Sequence, residues 1–215
     1  GIRGFETMFT GVAAHSSAPH QGVNAIVHAA AFIAFLHDLA AEQEAAANPD
    51  SRFTPPWTTF NVGLIQGGEA VNIIAERCAV QWEFRPLPET DSDALEARVR
   101  SHIDNEIRPI LKALNPAADV EIHLHAAVPP MHPDPNSPAE RLARHLTGAN
   151  TTHTVAYVAE ASQFQEHGIP TVLCGPGDIA QAHQPDEWIA QSELDACAGF
   201  LDRLQTWAAS GDAIP

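Results

Sequence analysis

The stretch "RCAVQWEFRPLP", Arg77 to Pro88, alternates strictly. Cys78, Val80, Trp82 and Phe84 fall on one side, and Arg77, Gln81, Glu83 and Arg85 on the other. Successive side chains of a strand point to opposite faces, so this is a strand with one buried and one polar face. It stops at Pro86, because proline cannot donate to a ladder. Just upstream, Phe60, Val62 and Leu64 alternate with Thr59, Asn61 and Gly63, and "QGGEAVN" turns the chain between the two runs. The pair therefore reads as a hairpin.

Working outward, β-type residues from Phe5 to Val12 predict a first strand. A helix follows, with Ile26, Ala30, Ile33, Leu36 and Ala40 at helical spacing, and "ANPDSRFTPPW" is loop by composition. Downstream of the hairpin a second helix starts near Thr90. Asp91 and Asp93 suit its first turn, and Leu95, Val99, Ile103 and Ile107 mark its buried stripe. Val120, Ile122 and Leu124 then alternate with Glu121, His123 and His125 as a fourth strand. Strand-helix-strand-strand-helix-strand is the split βαβ, or ferredoxin-like, arrangement: a four-stranded antiparallel sheet with two helices on one face.

The linker "AAVPPMHPDPNSP" separates this region from a second one. There the pattern predicts a helix over Pro138–Leu146, a strand near Val155–Val158, a helix around Ala161–His167, the strand "TVLC", and a helix from Gln191 to Trp207. Alternating strands and helices imply a parallel α/β sheet, yet two strands are too few to close one. The expected division is residues 1–127 as a ferredoxin-like domain and 128–215 as half of an α/β domain.

Composition limits the function. Eleven Lys and Arg against 27 Asp and Glu give a formal net charge of −16 over 215 residues. That field repels phosphate, which argues against nucleic acid and anionic membranes as partners. No apolar run is expected to reach the length of a membrane span. Three cysteines without a C-x-x-C pair suit a reducing cytoplasm. The chain opens on "GIRGFETMF", already inside a strand, which leads us to expect sequence upstream.

Most of the twelve histidines read as structural or merely exposed. His102-Ile-Asp104 and His132-Pro-Asp134 match an H-x-D zinc pattern, but one lies in an amphipathic helix and the other in the linker. His28, His37, His145 and His153 carry no further signal. His183, in "CGPGDIAQAHQPDEW", follows a Gly-Pro-Gly turn at the carboxyl end of the "TVLC" strand, where open α/β sheets place ligands. Asp178, Asp186 and Glu187 surround it and are suited to orient its ring. A single histidine makes no metal site, so both a ligand and a loop reading stand. His15, in "AHSSAPHQGVN", lies past a strand end in a Ser-, Pro- and Gly-rich turn and reads either as functional or as solvated. Asn72 follows a Gly-Gly turn. Arg85 ends a strand on its polar face, as a surface charge or a carboxylate clamp.

Four segments, "HSSAPHQGVNAI", "NVGLIQGGEAVNIIAE", "FRPLP" and "CGPGDIAQAHQPDEW", together resemble the M20 family of dinuclear zinc amidohydrolases, in matching order and spacing over nearly the whole chain. The resemblance implies a lid, or dimerisation, domain set into a zinc-binding α/β domain. It implies hydrolysis of the amide of an N-acyl amino acid by a homodimer joined through the lid, with two zinc ions or, alternatively, cobalt. "RPLP" and "AHQPDEW" look most like the members that deacetylate an acetylated diamino acid in arginine biosynthesis. By the same resemblance His183 is a zinc ligand, and His15 reaches the partner subunit's site to steady the oxyanion. Asn72 and Arg85 contact substrate, Glu160 in "AEAS" falls on an acidic loop whose usual threonine is here an alanine, and Gly175 and Gly177 shape the pocket wall. The family's Glu-Glu pair is missing, and neither H-x-D match sits at a strand end. The expectation is therefore a C-terminal portion that lacks most metal ligands and is inactive alone. A sister desuccinylase or aminoacylase, or a non-catalytic dimerisation module, are the rivals.

Overall fold

The computed structural model describes residues 1–214, which divide into two compact units. The first unit comprises Gly1–Pro130 with Thr154–Val158. Its elements run β1 (Ile2–Thr10), α1 (Ala25–Ala45), β2 (Thr59–Gly67), β3 (Arg77–Arg85), α2 (Ser92–His102), α3 (Arg108–Leu114) and β4 (Asp119–Val128). The sheet order is β2-β3-β1-β4, and all three pairings are antiparallel. This is the ferredoxin-like order the alternation predicts.

Strand β3 is central, and its apolar side builds the core. Cys78, Val80, Trp82 and Phe84 are buried, together with Phe5 and Phe9 of β1 and Phe32, Leu36 and Leu39 of α1. The Phe5 and Trp82 rings stack at 4.5 Å between centroids, and Phe32 meets Trp82 edge-on at 5.8 Å. The indole N–H of Trp82 donates to Thr7 Oγ1 at 2.9 Å, so the one polar atom that this ring carries inward is satisfied.

Two differences from the expected pattern have physical causes. The buried stripe of α1 is Ala25, Ala29, Phe32, Leu36 and Leu39 rather than Ile26, Ala30, Ile33, Leu36 and Ala40, and Ile26 is exposed. This helix is apolar nearly all round, so spacing alone does not fix which side faces the sheet. For the same reason α1 is long and apolar enough, by length and composition, to cross a membrane, contrary to the expectation that no run would be. Its Ala25–Leu39 face is instead packed against the sheet. The second helix is also interrupted: a π turn, Ile103–Ile107, separates α2 from α3. Pro109 lacks the N–H that would continue the α pattern, and the wider turn keeps Ile103, Ile107 and Leu111 buried on one side.

The second unit holds residues 131–153 and the chain from Ala159 onward, with helices α4 (Pro138–Thr147), α5 (Ala161–Glu166) and α6 (Gln191–Ser210). Ser137 caps α4 and Gly148 ends it in the left-handed conformation. Neither expected strand is present among the described residues. Residues 155–158 and "TVLC" form no ladder, and 154–158 cluster with the first unit, where Thr154 Oγ1 donates to the Arg52 carbonyl at 2.5 Å. A strand is defined by a partner for its N–H and C=O groups, and none pairs with these segments here.

Candidate active site

In the first unit, two loops are stitched together beyond the Thr10/Arg77 end of the sheet. Gly11 starts the first: its N–H donates to the Glu76 carbonyl, and a Cβ there would lie 2.0 Å from the Val23 carbonyl oxygen. Only glycine allows so close an approach, which brings Val12 and Val23 into a bridge. The loop between them carries His15. It pairs with the Asn72 loop through a His15/Ile73 bridge, Ser16 N–H to the Asn72 carbonyl at 3.0 Å, and Ile74 N–H to the Ala14 carbonyl at 2.9 Å. His15 and Asn72 are thus neighbours, and both are exposed.

The His15 ring is not free to spin. Its Nδ1 lies 3.2 Å from the Ser17 backbone N–H and 2.7 Å from Ser17 Oγ. A backbone N–H can only donate, so Nδ1 is the acceptor and the neutral ring carries its proton on Nε2. His15 therefore offers an N–H donor on the side away from Ser17.

Arg85 lies elsewhere. It is at the opposite end of β3, eight residues past Arg77 or about 26 Å at ~3.3 Å per residue. Its Nε donates to Glu83 Oε1 at 2.7 Å, which leaves the two terminal nitrogens as the open edge of the guanidinium. One copy of this sheet does not bring Arg85 to His15 and Asn72.

In the second unit, His183 sits in an exposed loop with its backbone in the left-handed region (φ 59°), as does Asp186 (φ 59°). Such angles are rare for residues with a Cβ. The surrounding acids do not hold the imidazole, contrary to expectation. Glu187 Oε2 accepts the backbone N–H of His183 at 2.9 Å, and Asp178 caps the turn Ile179–Gln181 through the Ala180 N–H. Acids two and four residues from these N–H groups are spent on the backbone of their own loop instead. Gly177 takes φ 90°, and its N–H points to Glu193 Oε2 at 3.4 Å; Gly175 has open space around it. Glu160 is exposed immediately before α5 and gives its carbonyl, not its carboxylate, to the first turn.

Neither H-x-D match forms a site. His102 stacks on Phe35 with centroids 3.7 Å apart, and the His132 backbone exchanges hydrogen bonds with the Gln165 side-chain amide. Among the described residues no group of three His, Cys, Asp or Glu side chains is close enough to hold an ion. The residues of this chain do not by themselves fit a zinc centre, which needs at least three protein ligands. Sequence reasoning missed Ser17 and gave Glu187 to the His183 ring rather than to its backbone. The Ser17 N–H and Glu187 contacts involve the backbone, which a residue pattern does not reveal.

Two loops laced beyond the end of a ferredoxin-like sheet match a known class of domain. Residues 1–110 match the peptidase dimerisation domain of the M20 family, and the chain belongs to that family. It is also similar to curated proteins over most of its own length. The acetylornithine deacetylase of Myxococcus xanthus is 33% identical over 198 residues, 92% of this chain and 50% of that protein. That of Edwardsiella ictaluri is 35% identical over 196 residues, 91% and 49% respectively. The chain thus spans about half the length of the curated relatives it matches. Among solved structures, a tripeptidase from Staphylococcus aureus superposes with a TM-score of 0.70 at 21% identity, over 97% of this chain and 52% of that one. An aminopeptidase from Bacillus cereus gives 0.65 at 23%, over 94% and 50%. At these identities the structures speak for the fold.

Proposed function

We propose that this chain supplies the lid, residues 1–127, and the C-terminal part of the catalytic domain, 128–215, of an acetylornithine deacetylase. The reaction is hydrolysis of the acetamide of N-acetylornithine to acetate and ornithine, in arginine biosynthesis in the cytoplasm. In this reading the activity belongs to a polypeptide that also carries the half of the relatives this chain does not match. Zinc held mainly by ligands from that half, with His183 as one more, would lower the pKa of a bound water.

The observation that carries the reading is the His15 donor in its laced loop. As water adds to the amide carbonyl, negative charge develops on oxygen, and a positioned N–H donor stabilises it. The His15 Nε2–H is such a donor, and Asn72 beside it suits a substrate contact. The open guanidinium edge of Arg85 fits the amino-acid carboxylate. Because about 26 Å of β3 separates Arg85 from the His15 end, one lid cannot present both to one substrate molecule. A homodimer, with His15 and Asn72 serving the partner's site, can.

The test is mutagenesis of the complete polypeptide. His15→Ala is expected to lower kcat by about 10²–10³ with zinc content unchanged, and His183→Ala to lose zinc. Equal zinc loss in both variants would refute this division of roles. Turnover of N-succinyl or long-chain N-acyl substrates ahead of N-acetylornithine would point to a sister enzyme. A polypeptide with no bound zinc and no turnover would leave a dimerisation module, a reading favoured by the lack of grouped metal ligands among the described residues.

A further inference from the structure

We propose that Ser17 is a positioning residue that fixes the tautomer and ring plane of His15; this rests on the reading of His15 as the oxyanion donor. Two groups of Ser17 converge on one ring atom: the backbone N–H at 3.2 Å and Oγ at 2.7 Å from Nδ1. The N–H can only donate, so Nδ1 bears no hydrogen, and the Ser17 hydroxyl must then also donate rather than accept. Nδ1 is thereby committed as acceptor by two donors from a single residue, and the proton is confined to Nε2. The Nδ1–H tautomer would turn its own hydrogen against the Ser17 N–H and forfeit both bonds; without the hydroxyl, only the longer 3.2 Å contact opposes it.

The backbone around Ser17 makes the contact durable. Ala18 N–H donates to the His15 carbonyl at 2.9 Å, closing a turn over 15–18, while Ser16 N–H is tied to Asn72. Ser17 is held between two bonded residues, so its N–H and hydroxyl are presented to the ring before any substrate arrives. That arrangement matters because an exposed imidazole otherwise samples both tautomers and several χ angles. A donor that must be reorganised during the reaction stabilises the transition state less than a fixed one.

The experiment has two arms. In the 215-residue chain, nitrogen-15 NMR of the His15 ring reports the tautomer directly, with no metal or substrate. The wild type is expected to hold Nδ1 as a hydrogen-bonded acceptor, Ser17→Ala to admit the Nδ1–H form, and Ser17→Thr to restore the wild-type signature. In the complete dimeric enzyme, Ser17→Ala is expected to lower kcat about 3–10-fold with KM little changed. That is far short of the loss from removing the donor itself, about 10²–10³, and Ser17→Thr should recover most of it. Unchanged ring shifts in Ser17→Ala would overturn the assignment outright. Altered shifts with unchanged kcat, in an enzyme where His15→Ala does lower kcat, would overturn its catalytic part. If His15→Ala left kcat intact, the reading of His15 itself would fail, and the catalytic role of Ser17 with it.

Discussion

Burial keeps two imidazoles of the lid from taking up protons easily. His102 is half-buried against Phe35, and this desolvation lowers its pKa from the ordinary 6.5 while the charge of Glu106 partly opposes it. His28 on α1 is lowered by burial as well. The folded first unit therefore binds protons less readily at these two residues than the unfolded chain. Stability is fully present above the unfolded value of 6.5 and is lost as pH falls through the lower folded value. Urea midpoints measured at about pH 7.5 and about pH 5.5 should fall on acidification, and His102→Gln should flatten that fall. An equal drop in the variant would place the acid sensitivity elsewhere. The residue types of the candidate site could be read from sequence because His15, Asn72, Arg85 and His183 lie in turns and strand ends of distinctive composition. Their local anchors could not. The Ser17 contact depends on a turn closing over 15–18, and Glu187 turned to the His183 backbone although its charge suggested the ring.

At the scale of elements, β1 and β3 are fastened by more than their ladder. Thr7 and Trp82 are both buried, and Thr7 Oγ1 accepts the indole N–H at 2.9 Å. Thr7→Val keeps the shape but removes the acceptor, which leaves a buried donor unmatched. The expected loss is about 1–3 kcal/mol in a denaturant titration, with Thr7→Ser much closer to wild type. An undiminished stability in Thr7→Val, with a loss in Thr7→Ser, would mean that packing of the methyl group, not the hydrogen bond, carries the effect. Strand β3 was legible because it has one wet face, so alternation writes itself into the sequence; β2 was legible from the same pattern although Leu64 and Ile65 are both exposed. Helix α1 was legible as a helix but not in its rotation, since Ile26, Ala29, Ile33 and Leu36 are equally apolar and only the sheet decides among them. In the second unit, apolar composition at "TVLC" suggested a strand, but composition cannot supply the neighbour that a strand requires.

At the scale of the molecule, the two units differ in how much apolar surface they close over. In the first, Phe5, Phe9, Phe32, Leu36, Trp82, Phe84 and Val99 share one buried cluster. Its sheet has two edge strands, β2 and β4, and β2 is the more apolar at its surface: Leu64 and Ile65 are 63% and 53% exposed, close in the chain to the fully exposed Val71. An unpaired apolar edge strand recruits another strand, and the M20 dimerisation domain makes a second copy the fitting occupant. Light scattering of the chain at tens of micromolar, about the range where modest interfaces fill, should give a dimer. Leu64→Lys or Ile65→Lys, which place charge on that edge, should give a monomer with the lid still folded. A wild-type monomer would remove β2 as the interface.

The second unit presents the opposite balance. Helix α6 buries none of its twenty residues, although Leu194 and Leu201 lie on it, and Phe164, Ile169, Leu173 and Trp188 are likewise exposed. Among the described residues of this unit only Ser137, Leu146, Ala161 and Ser162 are buried. Local stability follows buried apolar contact, and α6 has little of it beyond half-buried side chains such as Phe200, Leu204 and Trp207 and the Arg203 bond to the Leu146 carbonyl. Hydrogen exchange should therefore divide the chain sharply. Amides of β1, β3 and the Ala25–Leu39 part of α1 should exchange only on global opening, while those of α5, α6 and the His183 loop should exchange orders of magnitude faster. Limited proteolysis should cut first after residue 130 and leave a resistant fragment with the mass of the lid. The same exposed surface explains why this chain is expected not to hydrolyse N-acetylornithine by itself: the loop that carries His183 lacks both the companion ligands of a metal centre and a packed layer to hold it still. Slow exchange throughout α6, or zinc-dependent deacetylation by the purified 215-residue chain, would show that the second unit is complete as it stands.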